Sequence, residues 1–143
     1  MHWPRAHRAA YLITHDVQGA EDIAQESFLA AIRALDRFDR RRPFGPWLQK
    51  IVVNRAIDWA RARRLRSEVE LSEAVAAPEH RPSGLGDETL AALARLQPEH
   101  RAVVVMRYLL EFTPGEIATE LGLPRGTVNS RLRRGLDTLA DEL

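Results

Sequence analysis

Apolar residues recur along this chain at spacings of three and four, and nowhere alternate with polar ones for the length of a strand, so the pattern predicts helices throughout. Ala9, Ala10, Tyr11, Leu12 and Ile13 read as the last turns of a first helix over residues 7–15, too short to stand alone. Gly19 breaks the pattern, and Glu21 and Asp22 place negative charge where a helix begins. Ile23, Ala24, Ser27, Phe28, Ala31, Ile32, Leu35 and Phe38 then line one face of a strongly amphipathic helix over residues 20–38. Two prolines and a glycine make residues 39–46 a loop, basic and carrying one aromatic, Phe44. A third helix over residues 47–66 has Trp47, Leu48, Ile51, Val52, Ala56 and Trp59 as its apolar stripe, which assigns both tryptophans to the core.

Residues 67–86 mix small, acidic and turn-forming residues without a sustained period and read as a linker. Helical spacing resumes near Asp87 with Leu90, Leu93 and Leu96, stops at Pro98, and continues over residues 99–111 with Val103, Val104, Met106, Leu109 and Leu110. Ile117, Ala118 and Leu121 mark one more face before Gly122 interrupts, and Val128 and Leu132 resume it. Two short helices with a tight turn fit this spacing: Ala118 is small where a second helix must cross, Gly122 permits a left-handed turn, and Val128 fills the angle between them. The expected fold class is therefore all-α, with two small helical domains, residues 1–66 and 87–143, joined by the linker 67–86. The second is a four-helix domain with a helix-turn-helix, at a size that can just hold a core.

Charge is distributed unevenly. The net formal charge is only +1, yet residues 1–66 hold 13 Lys and Arg against 7 Asp and Glu, while residues 67–97 hold 2 against 6. The balance hides two cationic surfaces, the end of the third helix and the last helix, and a nucleic acid is the obvious polyanion. The third helix concentrates Arg55, Arg61, Arg63, Arg64 and Arg66 around one Asp58, a surface suited to phosphates. The last carries Arg125, Arg131, Arg133 and Arg134 with no acidic residue as far as position 134, interleaved with the short polar Thr127, Asn129 and Ser130. Such a helix can set arginines on phosphates and short side chains at base edges in a major groove.

Other chemistry is thin. Cysteine is absent, which removes disulfides and thiolate metal sites and fits a reducing cytoplasm. No stretch approaches the roughly 20 apolar residues of a membrane span, and the first eight residues lack a signal peptide's apolar core, so a soluble cytoplasmic protein is expected. His2, His7, His15, His80 and His100 are scattered without metal-ligand spacing and read as surface residues. No Gly-rich phosphate loop and no serine with a base and carboxylate nearby is present, so no catalytic residue, metal, cofactor or small-molecule substrate is expected.

The order of these pieces resembles the extracytoplasmic-function (ECF) group of bacterial RNA polymerase sigma factors. The matching residues are Ala20-Glu21-Asp22-Ile23-Ala24-Gln25-Glu26-Ser27-Phe28, then Trp47-Leu48 with Ile51 and Asn54 before an arginine-rich helix end. In the second half they are Leu96-Gln97-Pro98, Arg101, Arg107-Tyr108, Glu116-Ile117-Ala118, Leu121-Gly122 and the run Gly126-Thr127-Val128-Asn129-Ser130-Arg131-Leu132. The resemblance implies that the helix over residues 20–38 docks on the clamp helices of the polymerase's largest subunit, with Asp22, Gln25, Glu26, Phe28 and Leu29 as interface residues. It implies that Arg40, Arg41, Phe44, Asn54, Arg61, Arg63 and Arg64 recognise and hold open the non-template strand of the minus-ten element. Arg125, Thr127, Asn129, Ser130, Arg131, Arg133 and Arg134 would read the minus-thirty-five duplex. The partners implied are core RNA polymerase through its clamp helices and flap, promoter DNA, and an anti-sigma factor.

Two departures from the family pattern stand out. The first helix is short, which implies a truncated start or a less stable first domain, and Phe112-Thr113-Pro114-Gly115 replaces the usual approach to Glu116. Proline is tolerated in a helix's first turn, so the motif is expected to survive. No regulatory domain is expected after the last helix. The competing reading is a stand-alone dimeric helix-turn-helix regulator that never touches polymerase.

Overall fold

The computed structural model describes residues 2–69 and 86–142, and the chain divides into two compact units, Met1–Ser83 and Gly84–Leu143. The first comprises α1 (His2–Thr14), α2 (Val17–Arg33), a single 3-10 turn (Leu35–Arg37) and α3 (Phe44–Val69). Each of the three helices packs on the other two, around Leu12, Ile13, Ile23, Leu48, Val52, Val53 and a set of buried alanines.

Helix ends, rather than helix existence, depart from expectation. α1 starts at His2, because Pro4 falls in the first turn where its missing N–H costs nothing, and so it runs 13 residues with the apolar run as its buried end. α2 starts at Val17: the Asp16 carboxylate caps it, its Oδ2 accepting from Gly19 N–H at 2.7 Å. Gly19 was expected to break the helix and instead lies within it. A Cβ there would stand 2.6 Å from Trp59 Cζ2, so glycine is what lets α3 approach. The expected helix over 20–38 is α2 plus the 3-10 turn, and Ile32 and Leu35, assigned to the core stripe, face water. Phe44, Gly45 and Pro46 form the first turn of α3, so the loop shrinks to residues 38–43. Of the linker expected over 67–86, residues 67–69 continue α3, Gly86 caps the next helix, and 70–85 lie outside the described residues.

The second unit holds α4 (Asp87–Arg95), α5 (Pro98–Val104), a π turn (Val105–Leu109), α6 (Pro114–Leu121) and α7 (Arg125–Glu142). α7 packs against α4, α5 and α6. The helix expected over 99–111 is not regular: Leu110 N–H reaches back five residues to Val105 O at 3.0 Å, and Glu111 adopts φ 63°. This reverses the chain, returns Phe112 to the core and lets α6 begin. There Thr113 Oγ1 accepts from Glu116 N–H at 3.1 Å while Glu116 Oε1 accepts from Thr113 N–H at 2.9 Å, a reciprocal cap with Pro114 at the first helical position. Gly122 takes the left-handed conformation, φ 65°, that the turn demands, and Val128 is fully buried beyond it. Gly135 marks the crossing of α7 on α5, since a Cβ would meet Val104 Cγ2 at 2.7 Å.

One charge sits inside this core. Arg101, 8% exposed, donates from Nε to Leu93 O at 2.9 Å and from Nη2 to Ala94 O and Leu96 O at 3.1 and 2.9 Å, satisfying carbonyls at the end of α4. Replacing Arg101 by Ala removes this donor from Ala94 O and Leu96 O, leaves Leu93 O only the Leu96 N–H, and should destabilise the second unit by about 2–4 kcal/mol, read as faster hydrogen exchange at the buried amides of α5 and α7. Arg101→Lys should recover little, because an ammonium lacks the planar fork that reaches all three carbonyls.

Candidate nucleic-acid and protein interfaces

On α2, Asp22, Gln25, Glu26, Leu29 and Ile32 follow one another at helical spacing and are all exposed, forming one outward stripe, acidic at its start and apolar at its end. Asp22 Oδ1 accepts from Gln18 Nε2 at 3.2 Å, and Glu26 Oε2 lies 3.6 Å from Arg55 Nη1, both in solvent and so weakly held. Phe28 is half-buried, 5.6 Å from the Trp3 ring. The apolar atoms offered to water are those of Leu29, 51% exposed, and Ile32, 65% exposed. Ile32 therefore joins the candidate surface. Its periodicity was compatible with core or with partner, and only the packing distinguishes them.

The loop before α3 presents Arg40, Arg41 and Arg42 to solvent. Asp39 orders it: its Oδ1 accepts from Arg41 Nε at 3.1 Å and from Arg41 N–H at 3.0 Å, and these bonds, the side-chain one first, hold its carboxyl below the usual range. Phe44, expected in the loop, is the first residue of α3 and half-buried in an aromatic cluster: its ring lies 5.6 Å from Trp47 and 5.8 Å, edge-on, from Phe38, which in turn lies 4.6 Å from Trp47. Trp47 and Trp59 are half-buried, not fully core.

Further along α3, Asn54 is exposed and donates from Nδ2 to Lys50 O at 2.9 Å. Asn54, Asp58 and Arg61 share one outer face, and Arg64 is exposed one turn beyond. Arg63 differs. It lies 5.2 Å over the Trp59 ring and 3.6 Å from Asp16 Oδ1, so it ties the end of α3 to the cap of α2. The minus-ten candidates are therefore brought to one unit but not to one face.

On α7, Val128, Leu132 and Gly135 are buried, which turns Asn129, Arg133 and Arg134 outward and leaves Thr127, Ser130 and Arg131 half-exposed at the flanks. Arg125 and Gly126 are exposed at the helix start, where free N–H groups and the helix dipole favour an anion. The far end is acidic, with Asp137, Asp141 and Glu142, the last paired with Arg95 at 2.7 Å. Only the first half of α7 suits DNA.

The histidines expected at the surface are partly covered where they are described. His2, His7, His15 and His100 are half-buried, the first three against aromatic rings, and His80 lies outside the described residues. Among the described residues no three His, Cys, Asp or Glu side chains could hold a metal ion, and no helix is long and apolar enough to cross a membrane.

Comparison with known proteins gives a consistent picture. Residues 1–66 match the Sigma-70 region 2 family and residues 87–139 the Sigma-70 region 4 family. The chain is 36% identical to the ECF RNA polymerase sigma factor SigE of Mycolicibacterium smegmatis, over 99% of this chain and 58% of that protein. It is 31% identical to SigW of Bacillus subtilis, over 97% and 83% of the two, and 35% identical to SigL of Mycobacterium tuberculosis, over 92% and 78%. Among solved structures, CnrH bound to the cytosolic domain of CnrY is similar at TM-score 0.64 and 28% identity, covering 95% of this chain and 78% of that one. The sigma factor RpoE of Bartonella quintana, solved with the anti-sigma factor NepR, shares the fold at TM-score 0.78 and 23% identity, covering 99% and 91%.

The packing of Trp59 on Gly19 generates a prediction about the first unit. Gly19→Ala must displace the indole and with it Arg63, costing about 1–3 kcal/mol of stability. A shift in tryptophan emission together with a lower urea midpoint would show it, and an unchanged midpoint would show that Trp59 does not hold α2 to α3.

Proposed function

The chain belongs to the ECF group of RNA polymerase sigma factors, and on that premise we propose how its surfaces divide the work of starting transcription. The outward stripe of α2, with Asp22, Gln25, Glu26, Leu29 and Ile32, binds the clamp helices of core polymerase, Phe28 supporting it from behind. Residues 1–66 act on the minus-ten element: Arg40, Arg41, Arg61 and Arg64 take phosphates of the displaced strand, and Asn54 offers its amide to an unpaired base edge. Phe44 and Arg63 support these groups from the aromatic cluster and the α2 cap. Residues 87–143 dock on the polymerase flap and read the minus-thirty-five duplex through Arg125, Thr127, Asn129, Ser130, Arg131, Arg133 and Arg134. Residues 67–86 join the two activities.

One observation carries this reading: a helix-turn-helix with a basic outer face and a separate unit with a basic loop and basic helix end occur in one chain. Duplex reading needs the first alone, whereas opening a duplex needs both, so a dimeric repressor leaves the second unexplained. The protein is read as a binding factor, with bond-making left to polymerase, and as acting in the cytoplasm where polymerase works. An anti-sigma factor that covers the α2 stripe would silence it. Sequencing the run-off transcripts made from genomic DNA by core polymerase with this protein tests the whole. Start sites sharing two upstream elements support it, and no start sites beyond those of core alone would overturn it.

Two substitutions separate the DNA contacts. Arg133→Ala with Arg134→Ala should weaken binding to promoter duplex and lower the slope of log affinity against log salt by about two units, one for each phosphate that an arginine no longer neutralises. Affinity equal to the parent's at every salt concentration would remove α7 from the duplex.

Asn54 tests strand opening. Its amide must leave the Lys50 carbonyl to meet a base, a small cost for an exposed bond. Asn54→Ala should leave core binding and duplex affinity intact yet reduce permanganate reactivity of thymines near the start site, with a smaller defect on a pre-melted template. Parental reactivity would confine Asn54 to its bond within α3.

A further inference from the structure

Three aromatic rings close the base of the loop over residues 38–43. Phe38 at its start and Phe44 at its end meet edge-on at 5.8 Å, with planes at 88°, and both touch Trp47, at 4.6 and 5.6 Å. All three belong to the loop ends or to the helix that follows, so their mutual contacts fix the loop's shape but not its place on the unit. A fourth ring supplies that. The imidazole of His2, in the first turn of α1, lies 5.0 Å from the Phe44 ring at 60°. It also covers the backbone of Gly45, where a Cβ would stand 3.6 Å from His2 Cε1. One turn on, Gln49 Nε2 donates to Arg5 O at 3.4 Å, so the starts of α1 and α3 are joined twice.

We propose that His2 is a positioning residue for promoter opening: its ring, seated on Phe44, sets where α3 begins and hence where Arg40, Arg41 and Arg42 meet the displaced strand. The proposal rests on the strand-opening role assigned above to this loop. His2 acts through Phe44 and touches no DNA. The register of α1 with α2 and α3 is held separately by Ala6, Ala9, Ala10, Leu12 and Ile13, all buried, so the His2 contact can change without unpacking the unit.

The test compares the parent with His2→Ala and His2→Phe as full-length proteins, each assembled with core polymerase on a promoter taken from the run-off experiment. Removing an aromatic pair of this kind should slow opening about three- to tenfold. His2→Ala should show that slowing with unchanged affinity for core, and His2→Phe should restore the parental rate. Opening at the parental rate in His2→Ala overturns the proposal, and so does a His2→Phe protein as slow as His2→Ala, because ring packing would then not be what matters. Hydrogen exchange at residues 38–44, measured on the protein alone, separates this from the wider reading. Faster exchange in His2→Ala, reversed in His2→Phe, supports the positioning contact. Unchanged exchange overturns it whatever polymerase does, whereas a parent that opens no promoter overturns the strand-opening role itself.

Discussion

Alanine at the helix contacts governs how the first unit is built. Ala6, Ala9 and Ala10 of α1, Ala20, Ala24 and Ala31 of α2, and Ala56 and Ala60 of α3 are all buried, and Gly19 is smaller still where Trp59 crosses it. Small side chains bring helix axes close, and a close-packed contact leaves little freedom to rotate about either axis. Rotation is what decides which side chains meet water. With α2 fixed against α1 and α3, Asp22, Glu26, Leu29 and Ile32 must point outward together, and with α3 fixed, Asn54 and Arg61 must share its outer side. Both candidate surfaces of this unit are consequences of the same tight core.

The second unit solves a different problem with one helix. α7 buries Val128, Leu132 and Gly135 while exposing Asn129, Arg133 and Arg134, so the residues that hold it and the residues turned to solvent alternate along it. Anything that rotates α7 moves both sets. The left-handed Gly122 and the Thr113–Glu116 cap fix the turn and the start of α6, and Arg101 fixes α4 from inside. A buried guanidinium is costly unless its donors are matched, and here carbonyls of a helix end, which need donors, match it. The strained Glu111, at φ 63°, is the counterpart of that order: the π turn and the reversal that bury Phe112 require a left-handed residue where no glycine stands.

How much of this was legible follows from what each signal reports. Period revealed the helices and the helix-turn-helix, because Val128, Leu132, Ile117 and Gly122 each have a role that spacing alone dictates. It misplaces the start of α2, which depends on a cap: Glu21 and Asp22 mark the start by charge, whereas Asp16 caps the helix, while the motif behind the departure Phe112-Thr113-Pro114-Gly115 survives as expected, with Thr113 and Glu116 forming a capping box and proline at the first position. Period also cannot tell a stripe that packs from a stripe that waits for a partner, which is why spacing alone puts Ile32 on the packed face. The π turn over Val105–Leu109 leaves no compositional mark, since it differs from α only in which carbonyl each N–H finds.

Net charge bears on how such a chain can act. At +1 overall it offers a polyanion no long-range attraction, and at physiological salt fields fade within about 8–10 Å, so among the described residues the local clusters of the loop, the end of α3 and the start of α7 are the places suited to phosphates. Each cluster is small and each is bordered by acid: Asp39 and Asp58 in the first unit, Asp137 and Asp141 in the second. Each alone offers few phosphate contacts. Two weak sites on one chain raise each other's local concentration once both can reach the same DNA, and that gain depends on geometry rather than on new contacts. The α2 stripe carries apolar Leu29 and Ile32 in place of a basic cluster, which suits a protein partner better than DNA. On the division of labour proposed above, a partner bound there lets two marginal contacts act on one duplex, which is what a low-charge, two-unit promoter reader requires.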